Sequence, residues 1–94
     1  MRITNVKVIA TRPGQGPGPD RLKGFAKIVI DDCLVVHDIR IIKGHGGYLV
    51  AMPDKKLKDG SFQDVIHPIN KGAREMIERA VMDEYRKVIG GRAA

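Results

Sequence analysis

Hydrophobic and polar positions follow two different spacings along this chain. Through residues 1–67, apolar side chains recur mostly at every second position, which is typical of strands that bury one face. From residue 71 to residue 89 they recur every three or four positions, as in an amphipathic helix. The pattern predicts a strand-rich segment over 1–67, a C-terminal helix over about 71–89 and a flexible tail over 90–94, all in a single domain.

Turn residues divide the strand-rich segment into five predicted strands. Asp31-Asp32 separates two apolar runs and predicts a hairpin between the second and third strands. Ile3 falls out of phase with the apolar residues that follow it, which predicts a bulge or an irregular start to the first strand. The predicted strands are Ile3–Thr11, Gly24–Ile30, Cys33–Ile42, Tyr48–Met52 and Phe62–His67.

Strict alternation would divide the side chains of this hairpin between two faces. It places Ala26 and Ile28 on one face of the second strand. On the third strand it places Val35 and Ile39 on one face and Val36 on the other. Both faces of the hairpin then carry apolar side chains, so we expect the helix to cover one face and a second subunit to cover part of the other. The predicted fold class is α+β, a small antiparallel sheet of about five strands followed by a C-terminal helix, in a homodimer.

Proline, glycine and asparagine mark the ends of these elements. Arg12–Asp20 is too rich in Pro and Gly for a helix or a central strand, and it lacks the Lys-Ser/Thr ending of a phosphate-binding P-loop. We therefore expect a mobile loop there. Pro53 cannot donate to a sheet ladder and should end the fourth strand. Asn70 is the predicted N-cap of the helix, and Gly90-Gly91 is its predicted end.

Composition and charge point to a basic globular domain with an anionic partner. The chain has 94 residues, 43% hydrophobic and 30% charged, and its formal net charge is +6. A small basic domain favours nucleic acid as a partner. Cys33 is the only cysteine, which excludes an internal disulfide and suits a reducing cytoplasm. No stretch approaches the roughly 20 apolar residues of a membrane span, and the N-terminus lacks the apolar core of a signal peptide, so we expect a cytoplasmic protein without membrane insertion.

The positive charge is densest just before the last predicted strand. Lys55, Lys56 and Lys58 fall on a predicted loop closed by an Asp59-Gly60 turn. A solvated surface turn is the alternative interpretation, since surface lysines are common. Lys71 and Arg74 lie at the helix start, beside backbone N–H groups that suit a phosphate.

The exposed face of the predicted helix is a poor phosphate site by comparison. Glu75, Arg79, Asp83 and Lys87 alternate in sign at i,i+4 spacing, so their charges cancel.

The sequence contains no pattern typical of catalysis or metal binding. His37 and Asp38 are neighbours on a predicted strand, where side chains point to opposite faces. The cysteine and the three histidines show none of the paired spacings of a zinc site. We therefore predict no catalytic residue, no metal, no cofactor and no enzyme, although a small hydrolase using His37 and Cys33 stays as a remote hypothesis.

Three blocks of residues in register carry a family resemblance. They read VVHDIRII over 35–42, LVAMPDKK over 49–56 and DGSFQDVIHPIN over 59–70. Together they resemble the stage V sporulation protein G family, the bacterial septation regulators. The resemblance runs from Met1 to about Tyr85, and the Arg12–Asp20 loop is longer and richer in Pro and Gly than is usual in the family.

The resemblance implies a homodimeric global regulator of gene expression that binds DNA, and in some members RNA, with a role in sporulation and asymmetric septation. The family's basic pair tied to nucleic-acid binding matches Lys55 and Lys56, and the stretch tied to sequence preference matches Asn70, Lys71 and Gly72. Lysine binds phosphate as a point charge, so Lys-Lys here favours phosphate contact over bidentate base readout. The full set of candidate nucleic-acid-binding residues is Lys55, Lys56, Lys58, Asn70, Lys71, Gly72 and Arg74.

Two functions stay open at this point. The first is a nucleic-acid-binding regulator acting as a dimer. The alternative is a protein-interaction module of the septation machinery that binds division or regulatory proteins and does not touch nucleic acid. The preference between DNA and RNA is open as well.

Overall fold

A computed structural model describes residues 1–11 and 21–93, with side chains described as far as residue 90. Four antiparallel strands form the main sheet in the order β1-β2-β3-β4, β5 and β6 form a separate two-stranded sheet, and one helix follows. The predicted α+β fold class is confirmed. The predicted Arg12–Asp20 loop lies outside the described residues. The elements are β1 Ile3–Ala10, β2 Leu22–Ile30, β3 Leu34–Gly44, β4 Gly47–Ala51, β5 Asp54–Lys56, β6 Phe62–Asp64 and α1 Lys71–Ala93.

The segment after Pro53 differs from the prediction. The loop expected to hold the lysines contains strand β5, and β6 pairs with β5 instead of extending the main sheet. Pro53 has no N–H to donate, so β4 ends before it, at Ala51. Gly60, at φ +91°, then lets the chain reverse, and two short strands satisfy each other's backbone groups locally.

The β2–β3 hairpin turns at Asp31 and Asp32, as predicted. Both residues have φ of +53°, the left-handed conformation that a type I′ turn requires, and the Cys33 N–H donates to the Ile30 carbonyl at 2.9 Å. The turn also holds the start of the chain, because the Asp31 N–H donates to the carbonyl oxygen of Arg2 at 2.8 Å. The predicted irregularity at the start of β1 is confirmed by a register shift between Ile3 and Asn5.

A bulge in β3 overturns the strict alternation predicted for this strand. Ile39 pairs with Ala26 and Val36 with Ile28, so two residues of β3 stand opposite one of β2, and Asp38 has φ +62°. The extra residue resets the phase of the strand. Val36 and Ile39 are therefore both buried, whereas strict alternation placed them on opposite faces.

The core lies between α1 and the main sheet and is almost entirely aliphatic. Tyr85 of the helix is its one aromatic member, and its ring stacks at a tilt on Tyr48, with 5.4 Å between centroids. Burial, together with the neighbouring Tyr48, raises the pKa of Tyr85. The buried residues are Val8, Ala10, Ala26, Ile28, Val36, Ile39, Ile41, Val50, Met52, Ile77, Val81 and Tyr85.

The sheet face turned away from the helix leaves large apolar side chains in solvent. Ile9 and Phe25 are cross-strand partners on this face, and they are 62% and 41% exposed. Val35, on the neighbouring strand, is 47% exposed. The expectation of apolar residues on both faces of the hairpin is therefore confirmed.

Helix α1 begins as predicted but ends later. Asn70 Oδ1 accepts the Ala73 N–H at 2.7 Å, which confirms Asn70 as the N-cap. The helix continues to Ala93, so the prediction that Gly90-Gly91 ends it was wrong. A glycine stop requires the left-handed conformation, and Gly90 does not adopt it. Glycine inside a helix costs about 1 kcal/mol relative to alanine, which weakens a helix without ending it.

The charged side chains on the exposed face of α1 form ion pairs at a different spacing from the predicted i,i+4. Asp83 binds Arg86 at 3.1 Å and Glu84 binds Lys87 at 3.9 Å, both at i,i+3 spacing. The charges of this face still largely cancel. Within residues 1–11 and 21–93, no helix is long and apolar enough to cross a membrane.

Candidate nucleic-acid interface

Lys55, Lys56 and Lys58 lie on the segment formed by β5, β6 and the turn between them. We call this segment, residues 54–64, the β5–β6 ribbon. Its register pairs Asp54 with Asp64, Lys55 with Gln63 and Lys56 with Phe62. The tip is closed by a backbone hydrogen bond of 2.7 Å from the Leu57 N–H to the Ser61 carbonyl. The backbone of the ribbon approaches no other described strand or helix closely, so the ribbon projects from the body of the domain.

The base of the ribbon is held by two contacts. Arg40 of β3 donates to Asp54 with an Nη2–Oδ2 distance of 2.9 Å, and both side chains are partly buried. The Val65 N–H donates to the Pro53 carbonyl at 2.8 Å. The ion pair neutralises Asp54, so this carboxylate no longer offsets the neighbouring lysines.

Lys55 and Lys56 point to opposite faces of the ribbon, because successive residues of a strand alternate. Both are exposed, as is Lys58 at the tip. Among the residues that the structure describes, none of these three lysines is in an ion pair. One flat row of phosphates on a single face could not engage both Lys55 and Lys56, so the pair is suited to phosphates on two sides of the ribbon.

Asp59 is the acidic residue of the ribbon tip. Its Oδ1 accepts the Ser61 hydroxyl at 2.6 Å and the Ser61 N–H at 2.9 Å. These bonds, led by the hydroxyl, lower the pKa of Asp59. The carboxylate is thereby held within its own turn, where it shapes the tip.

The remaining candidate residues lie at the start of α1. Asn70 serves as the cap, and this structural role by itself accounts for its side-chain oxygen. Lys71 Nζ lies 3.8 Å from Glu75 Oε1, and its side chain is 88% exposed, so this pair contributes little. Arg74 is exposed, and it has no ion-pair partner among the described side chains. Lys71 and Arg74 line one shallow concavity together with Pro68, Ile69 and Asn70.

Gly72 is not required by the geometry of this helix start. A Cβ built on it would lie 3.6 Å from Asn70 Oδ1, an ordinary van der Waals contact, and its φ is not positive. An alanine would fit and would favour the helix more. What the glycine does provide is an uncovered backbone at the helix N-terminus.

The candidate residues thus form two groups, the ribbon and the helix start. No hydrogen bond or ion pair in the described part of the chain joins the ribbon lysines to residues 70–74. Sequence reasoning also missed one residue. Phe62 is 67% exposed and stands directly opposite Lys56. The available signal was an aromatic residue just after a basic turn, in a chain with only two phenylalanines.

The residues considered for catalysis do not converge. Cys33 is exposed in the turn before β3, and His37 is exposed on the strand. Across residues 1–11 and 21–93, no group of three or more His, Cys, Asp or Glu side chains is placed to hold a metal ion. His67 Nδ1 lies 3.0 Å from the Pro68 carbonyl, at the corner between ribbon and helix.

Comparison with known proteins returns one family. The profile of the SpoVG family matches residues 1–87. A septation protein SpoVG from Bdellovibrio bacteriovorus is 44% identical over 87 residues, covering 93% of this chain and 75% of the relative. Those from Phytoplasma australiense and Caldicellulosiruptor bescii are 42% and 40% identical, each over 95% of this chain and over 88% and 96% of the relatives.

Proposed function

The chain belongs to the SpoVG family, and on that premise we propose that it is a nucleic-acid-binding regulator whose β5–β6 ribbon contacts phosphates. The observation that carries the proposal is the placement of Lys55, Lys56 and Lys58. All three are exposed on a projecting ribbon, none is in an ion pair with a described residue, and the chain carries a net charge of +6. Lysines held in this way bind phosphate without selecting a base. The proposed activity is therefore binding of DNA or RNA in the cytoplasm, without catalysis.

The helix start supplies the second proposed contact. Lys71 and Arg74 place positive charge beside the N-terminus of α1, where the helix dipole also favours an anion. Gly72 keeps the backbone there accessible. In this proposal the ribbon holds phosphates, and the stretch from Asn70 to Arg74 adjusts which sequence is held.

The proposed regulator acts as a homodimer. The sheet face away from the helix exposes Ile9, Phe25 and Val35, and apolar residues of this size on one face are typical of a surface that another protein covers. A symmetric dimer would carry two ribbons and present both sets of lysines to one nucleic acid. Each phosphate contact would add to the salt dependence of binding.

The test is the salt dependence of binding for Lys55→Ala, Lys56→Ala and the double variant. The slope of log affinity against log salt should become shallower by about 0.9 for each duplex phosphate contact that is lost. Lys87→Ala is the matched control, because this lysine lies near the far end of α1 and is paired with Glu84. Thermal unfolding should be unchanged in all variants. A double variant with the slope of the unmodified protein would refute the role of the ribbon.

Exposed apolar residues near the ribbon favour the alternative, a protein-interaction module of the septation machinery. Val65 is 64% exposed and Ile69 is 88% exposed. This function predicts no detectable binding of DNA or RNA at ~150 mM salt, where non-specific affinities are typically weak. It also predicts that division proteins are captured from nuclease-treated extract, and that Ile69→Ser reduces the capture while Lys55→Ala does not.

A further inference from the structure

We infer that Phe62 is a stacking platform for an unpaired nucleobase, so that the ribbon favours single-stranded over duplex nucleic acid. The inference rests on the proposed function and names the form of nucleic acid that the ribbon holds. Single-stranded nucleic acid is recognised by aromatic rings on which bases stack, beside cations that follow the backbone. The β5–β6 ribbon places these two kinds of side chain next to each other.

The strand register provides the first argument. Phe62 is the direct cross-strand partner of Lys56, so the two side chains project from the same face of the ribbon. Side chains of such a pair have Cβ atoms about 5 Å apart. A base stacked on the ring would therefore hold its own phosphate within reach of the lysine ammonium group.

The exposure of the ring provides the second argument. Phe62 is 67% exposed, whereas Phe25, the other phenylalanine, is 41% exposed. Among the described residues, Phe62 has no aromatic partner and is not a member of the core. The ring is thus left largely in solvent, where it contributes little to the stability of the domain.

The neighbours of the ring favour a nucleobase over a protein surface. On the face of Phe62, the adjacent positions are Lys56 and Asp64, both exposed and charged. A protein partner that buried the ring would have to remove water from both charges, which is costly. A base needs only the face of the ring and leaves the charges in solvent. Asp54 and Asp64 lie at the base of the ribbon, so the positive end is the tip, toward Lys58.

The experiment compares Phe62→Leu with Phe62→Trp in binding to a 20-mer of deoxythymidine, a 20-mer of uridine and a 20-base-pair duplex at one salt concentration. Phe62→Leu should weaken binding to the single strands by roughly 5- to 150-fold, the range expected for one stacked base, and leave duplex binding within about twofold. Phe62→Trp should retain the affinity. Because the chain has no tryptophan, this variant also carries a single tryptophan whose emission a stacked base should quench.

Leu34→Ala is the control for loss of an exposed apolar side chain, since Leu34 is 63% exposed and lies at the start of β3, off the ribbon. It should leave single-strand binding unchanged. Sedimentation of each variant checks the fold and the oligomeric state. The deoxythymidine and uridine strands separate a DNA preference from an RNA preference.

Failure of this inference is distinguishable from failure of the proposed function. If the unmodified protein binds none of the three probes, the proposed function fails and the inference fails with it. If the protein binds but Phe62→Leu loses nothing, or loses equally on duplex and single strand, the stacking role is overturned while phosphate binding stands. A tryptophan emission that shifts with protein concentration alone would also overturn it, because the ring would then pack against a second copy of the chain.

Discussion

Replacing Gly72 with alanine should make the protein more stable and a weaker binder of nucleic acid. Gly72 is exposed in the first turn of α1, just after the Asn70 cap. A Cβ there meets only Asn70 Oδ1, at 3.6 Å, so alanine causes no clash. Two opposite effects are therefore expected from one methyl group, a gain in helix stability and a loss of access to the helix N-terminus.

The gain in stability follows from helix propensity. Alanine is favoured over glycine by about 0.8–1.0 kcal/mol in a helix interior, and the first turn should realise roughly half of this or more. We expect the free energy of unfolding to rise by about 0.5–1 kcal/mol. For a domain of this size, this corresponds to a rise in melting temperature of about 2–8 °C. Urea and thermal unfolding followed by circular dichroism measure both quantities.

Gly90→Ala is the matched control for the loss of binding. Gly90 lies in the same helix, near the opposite end, and a Cβ built on it meets nothing within 4 Å. It should stabilise the helix without affecting binding, whereas Gly72→Ala should weaken binding because its methyl group covers part of the backbone in the first turn, next to the Asn70 cap. A destabilised Gly72→Ala variant would refute the packing argument. Equal affinities in the two variants would refute the binding role of the helix start.

Two further predictions concern the turns. Asp32→Gly should raise the free energy of unfolding by about 0.5–1 kcal/mol, because glycine adopts the φ of +53° found at Asp32 without steric cost. The hydrogen bond from the backbone N–H of residue 32 to Thr4 Oγ1 does not depend on the side chain and is kept. A loss of stability in urea unfolding would contradict this prediction. Ser61→Ala should raise the pKa of Asp59, as measured by NMR titration, because the Ser61 hydroxyl is the main cause of the lowered value. A lowered pKa contributes stability above the unfolded-state pKa that is lost as the pH falls through the folded-state pKa. The stability deficit of Ser61→Ala should therefore be present at neutral pH and vanish in acid, and a deficit independent of pH would count against this assignment.

Features set by neighbouring residues could be predicted from the sequence. The type I′ turn at Asp31-Asp32 and the cap at Asn70 depend on a few consecutive residues, and both are confirmed. The helical period of residues 71–89 likewise depends on local spacing. The exposure of Lys55, Lys56 and Lys58 also followed from local polarity.

Pairing between strands decided the features that local spacing could not. The bulge near Asp38 changes which residues of β3 face the core, and it exists because two residues of β3 oppose one of β2. Sequence reasoning assumed strict alternation, since a phase reset leaves no trace in an apolar run such as Val35–Ile42. The end of the helix was missed for a related reason. A glycine stop requires the glycine itself to adopt the left-handed conformation, and Gly90 does not.

By itself, the sequence determined the fold class, the order of the first four strands and the helix, and the set of exposed basic residues, because periodicity, capping and charge are properties of short segments. Only the tertiary structure decided that β5 and β6 pair with each other, and therefore which side chains share a face of the ribbon. That pairing places Phe62 beside Lys56 and Gln63 beside Lys55. The physical reason is that a register is a relation between two strands, and a shift of one residue would turn every side chain to the other face.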